Sequence, residues 1–209
     1  MKITRTANCG VLIEMDKKRI LLDGVCKPLY PYIGTPISVV SSLKNPFPDI
    51  VAFTHKHTDH YDEDFAKDYE TKTLRHCFVP EASCFYKIDS ITLSFIKTRH
   101  IGKTNIPHTS ILILGSKNIL FTGDASPSEF KTIINQLPKV DVLLAPFAYV
   151  STNSAYSVSK SITDGEIFIL HLPKEEDDSL GLNKSVLQVC KADEKVHILP
   201  INGNIIIND

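Results

Sequence analysis

Absences narrow this sequence before any motif does. There is no tryptophan, and no apolar run approaches the ~20 residues that a helix needs to cross a bilayer, which excludes a helical membrane protein. Neither sign of charge dominates: 23 Lys and Arg stand against 24 Asp and Glu, a formal net charge of -1. With basic residues scattered rather than clustered, the electrostatic footprint of a nucleic-acid binder is missing. The opening Met1-Lys2-Ile3-Thr4-Arg5 turns polar at once and lacks the apolar core of an export signal. The five cysteines (Cys9, Cys26, Cys77, Cys84, Cys190) are odd in number and widely spaced, without a C-x-x-C pair. That argues against a disulfide framework and for reduced thiols in a cytoplasmic protein. Cys9 reads as a small buried apolar residue rather than a soft metal ligand. No internal repeat, low-complexity tract or linker interrupts the chain, so residues 1–209 are expected to form one domain around one well-buried core.

What is present is a run of short apolar segments. Val11 to Met15 and Arg19 to Asp23, separated by Asp16-Lys17-Lys18, form a strand, turn, strand pattern. The segment with Pro28, Pro31, Gly34 and Pro36 reads as an irregular surface loop, and Val25 to Lys44 as pocket-forming loop. A buried strand is expected over Ile50 to Phe53, and Tyr61 to Phe65 starts a helix whose acidic first turn suits its N-terminus. Cys77 to Val79, Ile91 to Thr98, Ser110 to Leu114 and Asn118 to Thr122 are strand-like with no helix between them, which predicts antiparallel sheet. Helices are expected at Glu129 to Leu137, Ala155 to Ser161 and Ser179 to Val189, alternating with strands at Val140 to Ala145, Glu166 to Leu170 and within Val196 to Ile207. Two packed sheets with helices outside satisfy this order.

The chemistry concentrates in Thr54-His55-Lys56-His57-Thr58-Asp59-His60. Three of the eight histidines and an aspartate fall within six positions. Along extended backbone side chains alternate faces, so His55, His57 and Asp59 can project together. Imidazole nitrogens and a carboxylate converging on one point are what zinc and similar transition metals accept. Three further polar residues stand where predicted strands end: His100, Asp124 and His171. Each alone is an ordinary capping or turn residue; their repeated placement beside the histidine loop makes them candidate partners.

Taken together, Thr54 to His60 preceded by Pro48 to Phe53, Phe121-Thr122-Gly123-Asp124, Leu170-His171-Leu172-Pro173 and the opening Cys9 to Glu14 with Leu21-Leu22-Asp23 resemble the metallo-β-lactamase-fold hydrolase superfamily. The resemblance covers nearly the whole chain and is nearest to the branch of ascorbate-6-phosphate lactonase and the N-acyl phosphatidylethanolamine phospholipases. It implies an α+β fold, a four-layer αβ/βα sandwich with two metal ions at the edge between the sheets. By that resemblance His55 and His57 with a third histidine hold the first ion, Asp59, His60 and His171 the second, and Asp124 bridges them. Zinc is the expected metal, with manganese or iron tolerating the same ligands. A water shared by the ions becomes a metal-bound hydroxide near neutral pH, and Asp59 orients it as the catalytic carboxylate. Asp23 is either a partner behind a ligand histidine or a turn-capping carboxylate.

The third histidine is open between His100 and His108. Pro107-His108-Thr109 is similar to the Gly-His-Thr element of hydroxyacylglutathione hydrolases but sits too close to the following strand. His100 is therefore favoured, with His108 facing the pocket as a substrate contact. Arg99 and Lys103 flank this region as contacts for an anionic substrate group or as solvated surface charge. The leading function is hydrolysis of a small ester, lactone or phosphodiester. The alternatives are a nuclease, disfavoured by the charge balance, and a non-catalytic metal- or ligand-binding protein, disfavoured by the full ligand set. Asp124 stands where the zinc β-lactamases that use a Cys ligand need that thiol, and His57 where flavodiiron proteins place Glu. No membrane partner is expected, and homo-oligomerisation stays open.

Overall fold

A computed structural model describes residues 1–102 and 104–207; Lys103, considered above for anion contact, lies outside the described residues. Three strands open the chain: β1 (Lys2–Arg5), β2 (Val11–Met15) and β3 (Lys18–Leu22). Asp16 and Lys17, with φ of 51° and 61°, turn β2 back onto β3, the left-handed pair that a two-residue hairpin requires. There follow α1 (Ile37–Leu43), β4 (Ile50–Ala52), α2 (Glu63–Thr73) and β5 (Cys77–Phe78). Next come β6 (Cys84–Ile88), β7 (Ile91–Lys97), β8 (Thr109–Leu114) and β9 (Ile119–Phe121). The remainder alternates: α3 (Pro127–Ile133), β10 (Val140–Pro146), α4 (Asn153–Ile162), β11 (Thr163–Leu170), α5 (Leu182–Ala192), then β12 (Val196–Ile198) and β13 (Asn204–Ile206).

These strands make two mixed sheets, ordered β13-β1-β2-β3-β4-β5 and β12-β11-β10-β9-β8-β7-β6. Period-two alternation decides which side chains meet. Val11, Ile13, Ile20, Leu22, Ile50 and Ala52 of the first sheet face Leu93, Phe95, Ile111, Phe121, Leu144 and Phe168 of the second in one buried cluster. The intervening residues point outward. Leu12, Leu21 and Val51 pack with Phe65 and Tyr69 of α2, and Leu112, Leu120, Leu143 and Ile169 pack with residues of α3, α4 and α5. Helices, sheet, sheet, helices is the four-layer αβ/βα sandwich expected.

The antiparallel expectation holds for β7 to β9, and β6, where no strand was expected, extends the same antiparallel run at its edge. It fails for Cys77–Phe78, because α2 makes a crossover that returns β5 parallel to β4 in the other sheet. Ile37–Leu43, expected as loop, is helical with Pro36 at its N-cap; proline before the first turn starts a helix as readily as it ends one. The segment expected as helix to Leu137 stops at Ile133 and tightens into a 3-10 turn over Ile134–Gln136. Among the described residues, no helix is long and apolar enough to cross a membrane.

The sandwich depends on its inner faces, and that sets unequal costs. Phe168→Ala, at a fully buried position, is expected to cost about 3–5 kcal/mol. Phe85→Ala on the edge strand, 73% exposed, should stay within about 0.5 kcal/mol. Urea unfolding of the two variants checks this; similar losses would contradict the layer assignment.

Candidate metal centre

Five strands end at one edge of the sandwich, and each is followed by a polar residue. Asp23 follows β3, the histidine loop follows β4, His100 follows β7, Asp124 follows β9 and His171 follows β11. After the buried β4 the chain leaves the sheet through Phe53 and Thr54 and turns at His57, whose carbonyl accepts from the amides of His60 (3.0 Å) and Tyr61 (2.8 Å). Asp62 then caps α2, its side chain accepting from the Phe65 amide at 2.8 Å. The loop is thus held between a strand and a capped helix.

Asp23 organises what lies behind the histidines. It is fully buried, with φ of 45°. It accepts from the Thr54 amide (2.7 Å), the Thr54 hydroxyl (2.6 Å) and His60 Nδ1 (2.7 Å). Because Thr54 Oγ1 donates to Asp23, it accepts from His55 Nδ1 at 2.9 Å. His100 Nδ1 likewise donates to the Ile101 carbonyl at 2.6 Å. With each Nδ1 committed as a donor, His55, His60 and His100 all present the Nε2 lone pair forward. Gly123 (φ +52°) keeps this arrangement open, since a Cβ there would lie 2.6 Å from Thr54 Oγ1.

The forward-facing atoms converge. Asp124 Oδ2 lies 3.3, 3.4 and 3.5 Å from Nε2 of His60, His171 and His100. Asp59 Oδ2 lies 3.3 Å from His171 Nε2, and His55 Nε2 is 3.0 Å from His57 Nδ1. Potential ligand atoms fall within 4.8 Å of one another in the groups His55/His57/His100, His55/His60/Asp124 and Asp59/His60/His171. His60 Nε2, His100 Nε2, His171 Nε2 and Asp124 Oδ1 are buried without hydrogen-bond partners among the described residues. Buried lone pairs facing one another are costly unless a cation lies between them, so this donor set fits divalent metal ions. Cys9, Asp23 and His60 also cluster, but Asp23 is already saturated and burial, then the Asp124 and Asp23 charges, push the Cys9 thiol up.

Without a cation, protons would have to balance the carboxylates. Burial opposes charge on His60, but Asp124 and Asp23 outweigh it and hold its pKa well above the ordinary value. His171 is raised in the same way against burial, by Asp124 and Asp59. Burial likewise opposes ionisation of Asp124 and Asp59, yet histidine contacts hold both low. His55 goes the other way: burial first, then the His60 charge, keeps it neutral.

His108 is placed differently from the other candidates. It is 1% exposed. Its Nε2 accepts from the Asp124 amide at 3.0 Å, and its Nδ1 donates to Thr98 Oγ1 at 2.9 Å. Thr98 Oγ1 in turn lies 3.2 Å from Ser110 Oγ, which donates to the Thr122 carbonyl at 2.9 Å. Both ring nitrogens are therefore taken, whereas His100 keeps one free beside His55 and His57. Arg99 is exposed and sits beside Glu129, Nε to Oε1 3.5 Å.

Two residues absent from the sequence reading also belong to the site. Asn8 Nδ2 donates to Asp59 Oδ2 at 3.1 Å. Tyr32 packs its ring edge-on against His171 at 4.2 Å between centroids, and burial, then Asp124 and Asp59, push its phenol up to about 12. Neither stands in a recognisable spacing; the one available signal was a polar Asn inside the otherwise small and apolar Ala7-Asn8-Cys9-Gly10.

Burial lowers the His108 pKa to about 3. The folded value lies below the unfolded value of about 6.5, so its stabilising contribution is complete above pH ~6.5 and is lost as pH falls toward ~3. Histidine ring NMR should find His108 neutral, with the proton on Nδ1 and no titration between pH ~5 and ~8; a midpoint near 6.5 would contradict this environment.

Comparison with known proteins places this geometry in a family. A family model described as a beta-lactamase superfamily domain matches residues 2–167. The chain is similar to a UPF0173 metal-dependent hydrolase of Nanoarchaeum equitans, 28% identical over 184 residues and covering 78% of each chain. Among solved structures it resembles an isothiocyanate hydrolase from Delia radicum gut bacteria, with TM-score 0.70, 15% identity and 100% of both chains covered. It also resembles a metallo hydrolase from the archaeon Ignicoccus hospitalis, with TM-score 0.67, 15% identity and 99% of both chains covered. At such identities the structural likeness is one of fold. The family match over most of the chain and the histidine-aspartate edge site agree: this chain belongs to the metallo-β-lactamase-fold superfamily.

Proposed function

We propose that the protein is a metal-dependent hydrolase acting on a small ester, lactone or phosphodiester at a dinuclear centre. His55, His57 and His100 would hold one divalent ion and Asp59, His60 and His171 the other, with Asp124 available to both. The observation that carries this reading is the convergence of buried, unpartnered ligand atoms on His60, His100, His171 and Asp124. The description of the Nanoarchaeum relative as a metal-dependent hydrolase supports it. Zinc is the metal the ligand set suits first, with manganese or iron accepted by the same donors.

When bound, such ions supply Lewis acidity and bring the pKa of water from about 15.7 toward neutrality. The chain's own residues do the rest. Asp59, ionised at neutral pH and steadied by Asn8, orients an attacking water and can take its proton. Asp23, through Thr54 and directly at His60, fixes which imidazole nitrogen of His55 and His60 is presented to a metal. His108, at the wall of the cleft beside His100, holds the Asp124 amide and so steadies that carboxylate. A cleft of about 680 Å³ opens beside His100, lined by Lys97, Arg99, Thr104, Asn105 and Ile106 among others. Its size suits a small substrate, with Lys97, Arg99, Thr104 and Asn105 supplying polar groups on otherwise largely apolar walls.

Metal analysis of purified protein should find up to two transition ions per chain. Asp59→Ala and His57→Ala should abolish turnover of a generic phosphodiester or lactone while far-UV circular dichroism is unchanged. His100→Ala should lose metal and His108→Ala should keep it; the reverse pattern would overturn the ligand assignment. Full metal occupancy without turnover across ester, lactone and phosphodiester panels would move the function to metal-dependent binding.

A further inference from the structure

Two of the three ligands given to the second ion, His171 and Asp59, are not supported in the way the anchored histidines of the site are. His55, His60 and His100 each have Nδ1 anchored, to Thr54, Asp23 and the Ile101 carbonyl. His171 Nδ1 is buried with no hydrogen-bond partner among the described residues. Its position rests instead on its backbone, with φ of 56° and an amide that donates to the Asn8 carbonyl at 3.2 Å. Beside His60, which Asp23 already holds, the remaining ligand given to that ion alone is Asp59, and it receives a hydrogen bond from Asn8 Nδ2. One residue therefore reaches the two ligands that lack another anchor, by its side chain to Asp59 and by its carbonyl to His171.

Asn8 is itself held firmly. It is 1% exposed, in the loop between β1 and β2. The Arg5 guanidinium, 4% exposed, donates from Nε to the Ala7 and Asn8 carbonyls (both 3.0 Å), from Nη2 to the Asn8 carbonyl (2.6 Å) and from Nη1 to the Leu199 carbonyl (2.9 Å). Among the described residues no carboxylate pairs with this buried cation; its donors are spent on backbone carbonyls. A planar fork with fixed donor directions suits that task better than an ammonium would. The Asn8 carbonyl thus accepts from Arg5 on one side and His171 on the other. Asn8 Oδ1 is buried and unpartnered, an acceptor complementary to the His171 Nδ1 proton that must be present once Nε2 binds a metal.

We propose that Asn8, fixed by Arg5, is the positioning residue for the second metal ion, orienting Asp59 and seating His171 while leaving the His55/His57/His100 ion untouched. This rests on the dinuclear reading above. Asn8 is not a catalytic residue, since it acts through two ligands rather than on substrate. Its removal should weaken one ion and spare the other, because outer partners of a ligand typically change metal affinity by about 10–100-fold.

The test is a zinc titration of chelator-stripped full-length protein in a competing chelator buffer, followed by two-bond proton–nitrogen spectra of the histidine rings. Asn8→Ala removes donor and acceptor; Asn8→Leu does the same while filling the space, and guards against a folding defect. In both variants the rings of His57 and His100 should respond at the free zinc that suffices for wild type. The rings of His60 and His171 should need about 10–100-fold more. An equal weakening of both sets would reduce Asn8 to general structural support and overturn the proposal, as would no weakening at all. A wild-type protein that takes up only one ion would instead defeat the dinuclear reading itself, and that failure is visible before any variant is made.

Discussion

Three carboxylates, Asp23, Asp59 and Asp124, are buried at one edge of this protein, and among the described residues no lysine or arginine pairs with any of them. Burying charge is costly unless it is compensated, so the rest of the site can be understood from how this debt is met. Asp23 is satisfied within the protein by Thr54 and His60. Asp59 and Asp124 face imidazoles whose remaining nitrogens carry lone pairs. The cluster must therefore hold either protons or cations. The shifts of His60 and His171 show how far protons would have to be drawn in, while the fixed tautomers of His55, His60 and His100 are already those a metal requires.

The fold supplies this edge rather than merely carrying it. Two sheets bury their inner faces against each other, and the strands that deliver ligands are central or nearly so: β4 between β3 and β5, β9 between β8 and β10, β11 between β10 and β12. Asp23, His55, His100, Asp124 and His171 each lie one to three residues beyond a strand, and His57, Asp59 and His60 follow in the loop that α2 closes. That explains why short, irregular segments can hold geometry without regular structure of their own. Left-handed backbone at Asp23, Gly123 and His171 marks where the chain must turn sharply to aim a side chain inward. Gly123 is the position where the left-handed turn combines with a close approach, to Thr54, that leaves no room for a side chain.

Much of this was legible in the chain because the signals were local. The histidine loop is a dense run of ligand types after an apolar strand, and His100, Asp124 and His171 end strands with clear period-two or buried patterns. Between His100 and His108, spacing before the following strand favoured His100 but did not exclude His108, since both flank the same loop. Their hydrogen bonding differs: His108 spends both nitrogens on Asp124 and Thr98, whereas His100 keeps Nε2 unpartnered among the described residues. Asn8, Arg5 and Tyr32 were not legible, because their roles depend on contacts across large separations in sequence, as between Asn8 and Asp59 or Arg5 and Leu199. The pairing of β5 with β4 and the helix at Ile37–Leu43 were missed for a related reason. A two-residue strand and a helix with one buried residue, Leu43, carry too little periodicity to announce themselves.

The central claim is that the buried cluster is a dinuclear metal site built from these ligands. Anomalous diffraction from crystals of zinc-loaded protein, collected on both sides of the zinc absorption edge, tests it most directly. The account predicts two peaks, one enclosed by His55, His57 and His100 and one by Asp59, His60 and His171, with Asp124 between them. A peak coordinated by His108, or no anomalous density at the cluster, would contradict it.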